Sequence, residues 1–292
     1  MTDVINQVEV DFTPEDIEAK QLMEKWSKEV DSDTQSIASD GAASGLAEDY
    51  DDDLEQYRRE VPGANDNNVI DHIVLGTSDL DRALEDFESL TGAKPVMVVS
   101  LNGLGTKSAR IAFNSCSFLE IIGPDPKQSS RPLGDKLGAI PEGKMIPIHY
   151  AVRHRKAPQM KESEFAEMGF PECDQVTMVA KDRGLPWTWD LVFMEGHEDA
   201  GLVPYFVNWR DSHHASGRLP VVGDLKTVVV RAPSDNAIHK LLANVEGVET
   251  EDGENFVKFQ FTSPKGTHTF SGSSLIGVSF PTEGGLPVKG MC

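Results

Sequence analysis

Three ionisable side chains stand inside otherwise apolar runs of this sequence: His72 in Val69 to Leu75, Glu120 in Ser117 to Ile122, and His149 in Met145 to Val152. Alternate residues of a strand face one side of its sheet. His72 is therefore expected to share a face with Ile70 and Val74, Glu120 with Phe118 and Ile122, and His149 with Ala151 and Arg153, away from the helices. A buried carboxylate needs a partner, which a divalent cation or a protonated imidazole supplies. Two histidines and one carboxylate also hold a divalent metal while leaving positions open for substrate. Two readings follow. Either His72, His149 and Glu120 are metal ligands, or they are hydrogen-bonded core groups with Glu120 paired to His72. A fourth corner of such a site falls near Pro204-Tyr205-Phe206, where no strong ligand stands. Tyr205 can move a proton, bind a metal weakly, or simply pack.

Other residue types suggest how a substrate would be held. Arg110 and Arg153 can clamp a carboxylate or phosphate, or make ordinary surface ion pairs. Trp187, Trp189, Phe206 and Trp209 can line a pocket for an apolar ligand, and core packing explains them equally well. Asp211, His213 and His214 form a compact polar cluster that can contact substrate or lie in a solvated loop. Gly103-x-Gly105 precedes a strand rather than a helix, so it is no dinucleotide loop. There is no Gly-x-Ser-x-Gly elbow, Walker sequence or His-Glu-x-x-His.

The elements that must position these groups recur in a fixed order. Val69 to Leu75 reads as a strand. Ser78-Asp79-Leu80-Asp81 caps a helix with a Leu80, Leu84, Phe87 and Leu90 stripe, ended by Gly92. Strands follow at Pro95 to Leu101, Lys107 to Phe113 and Ser117 to Ile122. The order of strand, helix and three strands then repeats: Met145 to Val152, a helix over Pro158 to Met168, then Val176 to Ala180, Trp187 to Met194 and Leu202 to Trp209. Aligning the first strands sets His72 on His149. A third pass has a strand at Leu225 to Val230 and a helix at Ser234 to Asn244. Its further strands are Phe256 to Thr262, Thr267 to Phe270 and Leu275 to Phe280. It carries no histidine at the matching place and reads as structural.

The net charge of -21 is unevenly spread: residues 1–66 hold 19 acidic and 5 basic side chains. A chain so acidic repels nucleic-acid phosphate and anionic membrane, and no Lys/Arg-rich stripe offsets this, so neither is an expected partner. No run approaches a membrane span, and the start, acidic from Asp3, is unlike a basic targeting peptide. Cys116, Cys173 and Cys292 have no Cys-x-x-Cys spacing and suggest a reducing, cytoplasmic setting without disulfides. The polar stretch Ser32–Gly45 and the charge run Glu48–Gln56 read as parts of a disordered tail. Within the tail, two short amphipathic stripes occur, one through Leu22, Met23, Trp26 and Val30 and one through Leu46, Tyr50, Leu54, Tyr57 and Val61. They either pack on the parent domain or dock a protein partner. The expected organisation is a tail (1–66), two βαβββ modules (67–143 and 144–222) and a third, partial module with a C-terminal tail (223–292). The fold class is α+β.

A family resemblance rests on particular residues. Ile70-Asp71-His72-Ile73-Val74, Asp79-Leu80, Leu90-Thr91-Gly92, Gly105-Thr106, Ala109-Arg110 and above all Leu119-Glu120-Ile121-Ile122-Gly123-Pro124-Asp125 resemble the glyoxalase-like domain of the vicinal oxygen chelate superfamily. Tyr150-Ala151-Val152-Arg153, Gly201 to Phe206 and Trp209 to His214 extend the likeness over roughly 69–271. The resemblance implies paired βαβββ modules forming a curved mixed sheet around a pocket. It also implies a divalent metal (Zn, Fe, Mn, Ni or Mg) and lyase, isomerase or dioxygenase chemistry, while other members are metal-free drug-binding proteins. In its dioxygenases, histidines of two adjacent first strands and a glutamate of a last strand hold the iron, and His72, His149 and Glu120 are similar in kind. The chain departs from the family pattern at Lys107-Ser108 and His214-Ala215, both near the expected pocket, so the substrate does not transfer.

Three functions are thus expected to compete. In the first, a metal on His72, His149 and Glu120 chelates vicinal oxygens of a small molecule, with Glu120 or Tyr205 moving a proton and Arg110, Arg153, Trp189, Phe206, Trp209 and His214 binding substrate. The second is metal-free binding of a hydrophobic ligand. The third is a non-catalytic scaffold that docks a partner through its tail. A homodimer is open, because paired modules associate within or between chains.

Overall fold

A computed structural model describes residues 57–273, apart from 62, 65, 67, 102–103, 130, 158–159, 161, 171, 183–184, 196–200 and 211. The tail stripe through Trp26, most of the second stripe, and the strand expected at Leu275 to Phe280 lie outside the described residues.

The first run comprises β1 (Val69–Gly76), α1 (Leu80–Thr91), β2 (Val96–Leu101), β3 (Thr106–Phe113) and β4 (Phe118–Pro124). After a short helix, α2 (Pro132–Gly138), the second run has β5 (Ile146–Arg153), α3 (Glu162–Glu167), β6 (Glu172–Asp182), β7 (Leu185–Glu195) and β8 (Tyr205–Asn208). In each run the first strand pairs parallel with the last, β1 with β4 and β5 with β8. The runs join back to back through antiparallel β1 and β5, giving the order β2-β3-β4-β1-β5-β8-β7-β6. Two βαβββ modules thus form one curved mixed sheet. The two candidate histidine strands are neighbours at its centre.

Local signals account for α1. The Asp79 side chain accepts from the Arg82 backbone N–H at 3.1 Å, and Gly92 closes the helix at φ 78°. Its buried stripe is Leu80, Ala83, Phe87 and Thr91. Leu90, expected in that stripe, is 45% exposed. The sequence pattern therefore places the inward face about one residue out of phase at the helix end, where Thr91 turns inward and bonds the Phe87 carbonyl at 2.8 Å.

The third run pairs differently. β9 (Val221–Gly223) continues the large sheet beside β3, and the chain then crosses to β10 (Leu225–Ala232). Gly223 permits the crossing: at φ 146° it passes so close to Thr262 that a Cβ would lie 1.9 Å from the Thr262 carbonyl oxygen. After β10 come α4 (Ile238–Leu242), β11 (Val248–Asp252), β12 (Phe256–Ser263) and β13 (Gly266–Gly272). Their separate sheet runs β11-β10-β12-β13. Here the first strand pairs parallel with the strand directly after the helix, not with the last strand. The polar run Val248–Asp252, with four of its five side chains exposed, gives no apolar signal and escapes the sequence pattern.

One apolar core fills the helix side of the large sheet. Ile73, Leu75, Phe87, Phe165 and Phe206 meet Val228, Val230, Phe259 and Phe261 of the second sheet. The opposite side carries a second cluster, including Phe118, Trp189, Phe193, Tyr205 and Trp209. At one end of that side, Leu133 and Leu137 of α2 close over Val74, Ile122 and Ile148. Among the described residues no helix is long and apolar enough to cross a membrane.

Candidate functional site

Strand alternation fails at one decisive place. β1 and β5 are in register at Ile70↔Val152 and again at His72↔Ala151, so Asp71 is an extra residue, a β-bulge. The bulge shifts the phase of the strand. Ile70 joins the helix-side core with Ile73 and Leu75, instead of sharing the face of His72 as simple alternation requires. Asp71 and His72 thereby come to act together.

Asp71 is fully buried and is surrounded by donors. Its Oδ1 lies 2.7 Å from His72 Nδ1. Its Oδ2 accepts from Arg153 Nε at 3.1 Å and Trp209 Nε1 at 2.8 Å, and lies 3.1 Å from His214 Nε2. Burial opposes its charge, but His214 and His72 overcome that and hold the carboxyl well below the usual carboxylate range. An ionised Asp71 accepts from His72 Nδ1–H, and in the neutral imidazole Nε2 is then the acceptor. Tyr205 Oη lies within short hydrogen-bond reach of that nitrogen. The three groups form a continuous chain: the Tyr205 hydroxyl donates to His72, and His72 donates to Asp71. Phe118, stacked on the imidazole at 4.5 Å, fixes the ring plane.

His214 is held in its tautomer by Ser216, whose backbone N–H donates to His214 Nδ1 at 3.2 Å, so Nε2–H points at Asp71. Burial lowers its basicity, against the pull of Asp71. This buried role replaces the solvated loop open to it in sequence; His213 beside it is exposed, and Asp211 lies outside the described residues.

The other candidates settle around this chain. Glu120 and His149 both lie opposite Val74, on either side of β1. Glu120 Oε1 accepts from Arg110 Nε at 3.1 Å and Nη2 at 3.0 Å. Burial pushes the Glu120 carboxyl up, but Arg110, with His72 and Ser108 nearby, outweighs it and holds the group below the usual range. Arg110 also lies 5.3 Å over the Phe118 ring. His149 Nε2 donates to the Val203 carbonyl at 2.9 Å, and its ring meets Tyr205 edge-on at 5.0 Å. Trp189 and Trp209 pack together at 5.5 Å on the same side. Phe206 faces the other way, against Phe165 at 6.3 Å, because it directly follows Tyr205 in β8. It belongs to the helix-side core. Lys107 is occupied by an exposed ion pair to Asp81 at 2.9 Å.

The donor set does not fit a divalent ion in this arrangement. Among the described residues no three His, Cys, Asp or Glu side chains converge on one point. Glu120 is satisfied by a guanidinium, whose charge repels a cation, His72 Nε2 is taken by Tyr205, and His149 Nε2 carries its proton toward Val203. The corner expected near Tyr205 does lie beside His72, the two side chains being in hydrogen-bond contact, whereas the sequence pattern does not single out Asp71. Its signal was an acid within an apolar strand, directly before the candidate histidine.

Comparison with known proteins bears on the fold. The model of the glyoxalase-like domain family matches residues 70–246, more than half of the chain. The chain belongs to this family, within the vicinal oxygen chelate superfamily. No curated protein matches the sequence. Among solved structures, methylmalonyl-CoA epimerase from Mycobacterium tuberculosis is 14% identical, covering 53% of this chain and 95% of its own, with a TM-score of 0.35. A variant of the Streptomyces coelicolor epimerase is 18% identical over 49% of this chain and 97% of its own, with a TM-score of 0.36. The Mn(II)-bound glyoxalase from Novosphingobium aromaticivorans is 10% identical over 72% and 84%, with a TM-score of 0.36.

Proposed function

We propose that this member of the glyoxalase-like family is a small-molecule enzyme that works by proton transfer, with Tyr205, His72 and Asp71 as its acid–base machinery. The observation that carries the reading is the unbroken hydrogen-bonded chain from Tyr205 Oη through His72 to Asp71. A histidine oriented by a buried carboxylate can take the proton of a neighbouring hydroxyl, because the carboxylate stabilises the imidazolium that forms. The Tyr205 oxygen, relieved of its proton, then removes a proton from substrate and later returns it. Arg110, fixed beside the site by Glu120, supplies positive charge to an oxyanion developing next to the carbon that loses the proton. Such chemistry suits a carbonyl compound with a C–H beside the carbonyl.

The alternative of a metal chelating vicinal oxygens has His72, His149 and Glu120 as donors. It requires Glu120 to leave Arg110 and His72 to release Tyr205. The acid–base reading needs neither change. A second reading, ligand binding without turnover, is favoured by the aromatic wall of Trp189, Phe193 and Trp209.

Solvent deuterium exchange separates them. The purified protein, with and without chelator, is incubated in deuterium oxide with a panel of 2-oxo acids, 2-oxoaldehydes and hydroxyketones, and exchange is followed by NMR. The proposal expects chelator-insensitive exchange that falls by about 10²–10⁴-fold in Tyr205→Phe, the usual worth of a positioned acid–base group. Exchange abolished by chelator restores the metal reading. Binding with no exchange supports sequestration and overturns the proposal.

A further inference from the structure

On β3, the strand that carries Arg110, two further side chains face the same way. Thr106, Ser108 and Arg110 stand directly opposite Pro124, Ile122 and Glu120 of β4 in unbroken register. Directly opposed residues of an antiparallel pair share a face, so both hydroxyls lie on the Glu120 side of the sheet. Lys107, between them, points the other way and reaches Asp81 of α1.

Both hydroxyls are enclosed and unmatched. Thr106 is 0% exposed and Ser108 1%, and neither Thr106 Oγ1 nor Ser108 Oγ has a hydrogen-bond partner among the described residues. Ser108 is close enough to help hold the Glu120 carboxyl down, yet it stands outside bonding geometry. A strand hydroxyl finds few local partners, because the ladders to β2 and β4 take up the neighbouring backbone groups. Ile122, opposite Ser108, belongs to the apolar cluster with Leu133 and Leu137 of α2, which offers no side-chain bond either. Each hydroxyl has therefore left water with nothing in return. The backbone around them is nonetheless held firmly. Gln128 spans the strand end, its Oε1 accepting from the Gly105 N–H at 3.1 Å and its Nε2 donating to the Thr106 carbonyl at 3.2 Å. The start of α2 is tied to the same turn, with the Leu133 and Gly134 N–H groups donating to the Leu104 carbonyl at 3.2 and 3.0 Å.

We infer that Ser108 and Thr106 form an oxygen-recognition subsite beside Arg110, and that the substrate is a carbonyl compound whose chain carries further hydroxyl groups. The inference rests on the proton-transfer reading for placing the carbonyl near Tyr205 and Arg110. From there, alternate residues of β3 advance by about 7 Å, so a chain lying along the strand presents successive oxygens to Ser108 and then to Thr106. Each protein hydroxyl can donate to a ligand hydroxyl or accept from it. An apolar chain leaves both unmatched, and a site built to bond a hydroxyl discriminates against the analogue that lacks it.

Ligand-observed NMR titration of the full chain tests this with ribulose and xylulose against 1-hydroxypentan-2-one, which lacks the hydroxyls on carbons 3 to 5. The parent should bind the ketoses about tenfold more tightly, the worth of two neutral hydrogen bonds. Ser108→Ala and Thr106→Val should each reduce that preference by about threefold, and the double variant should abolish it. Thr106→Ser, which keeps the hydroxyl, should retain it. Melting of the ligand-free single variants should be unchanged or raised, because no bond within the protein is lost. Equal binding of the two classes by the parent, or a preference that survives in the double variant, overturns the inference. So does a lowered melting temperature in both ligand-free single variants, which marks the hydroxyls as structural. Preference without deuterium exchange keeps the subsite and sinks the proton-transfer reading, whereas exchange without preference sinks the subsite alone.

Discussion

Strands β1 and β10 each open a run of strand, helix and three strands, and each packs on the same apolar core, yet they bury different chemistry. From β1 come Ile73 and Leu75 on the core side, but also Asp71 and His72, buried among Arg153, Trp209, His214 and Tyr205. From β10 come Val228, Val230 and Ala232, facing Phe259 and Phe261 of β12. Both strands carry a bulge near their start, at Asp71 in β1 and at Lys226 in β10, so the bulge alone does not divide them. What differs is the residues it brings together: in β1 it sets a buried acid beside a buried histidine, whereas Lys226 is exposed and Thr227 half-buried. The β10 sheet is accordingly held by burial, and the centre of the large sheet by burial combined with mutually compensated charge. A common order of elements does not determine pairing or purpose.

The sharpest way to break this contrast is to remove the central charge. Asp71→Ala leaves Arg153 buried without its counter-ion and should cost about 3–5 kcal/mol at neutral pH, measured by urea denaturation. The loss should depend on pH, with a sign set by linkage. The Asp71 carboxyl titrates well below its ordinary value in the folded chain. Its contribution is therefore fully present above the unfolded value, near about pH 4, and is lost as pH falls toward the folded one. His214, lowered by burial, acts in the same direction: the unfolded chain gains its proton first as pH drops below about 6.5, and stability declines. Parent and variant should thus converge in stability toward low pH. A constant difference across that range contradicts a charge-based role for Asp71.

Next in size is the Arg110–Glu120 pair. Arg110→Met leaves a buried carboxylate unpaired and should destabilise by about 3 kcal/mol at neutral pH. The Glu120 carboxyl should then move from below its ordinary value to above it, since burial acts without the guanidinium; carboxyl-selective NMR would record the reversal. In the second sheet the corresponding perturbation is apolar. Phe259→Leu should cost less, about 1–1.5 kcal/mol, with little change between neutral and acid pH. The smallest effect is expected at the end of α1, where Asp79→Ala removes the cap to Arg82 and should lower stability by about 1 kcal/mol.

These regions also differ in how far the sequence discloses them. Both histidine strands, their pairing into two modules and the nearness of His72 to Tyr205 follow from periodicity and the repeat, because alternating strands broadcast their faces. The acid itself is visible at Asp71, but its placement beside His72 is not, since a bulge is a register event between two strands and leaves no mark on either alone. His214 is hidden for a related reason: its burial depends on an acid 143 positions away in sequence. The family resemblance suggests metal ligands by residue type, but only geometry reveals that Arg110 already satisfies Glu120. In the last run, Val248–Asp252 pairs through its backbone while exposing most of its side chains, so hydrophobic pattern is silent there.

The central claim is that Tyr205, His72 and Asp71 form one proton-transfer chain, and the protonation of the His72 ring tests it most directly. Nitrogen-15 NMR of imidazole-labelled protein, assigned by comparison with His72→Gln, distinguishes the two ring nitrogens. The account predicts a protonated Nδ1 bonded to Asp71 and an unprotonated Nε2 whose shift reports a strong hydrogen bond, lost in Tyr205→Phe and insensitive to chelator. A protonated Nε2, or an Nε2 signal that shifts on metal removal and ignores Tyr205→Phe, would contradict it.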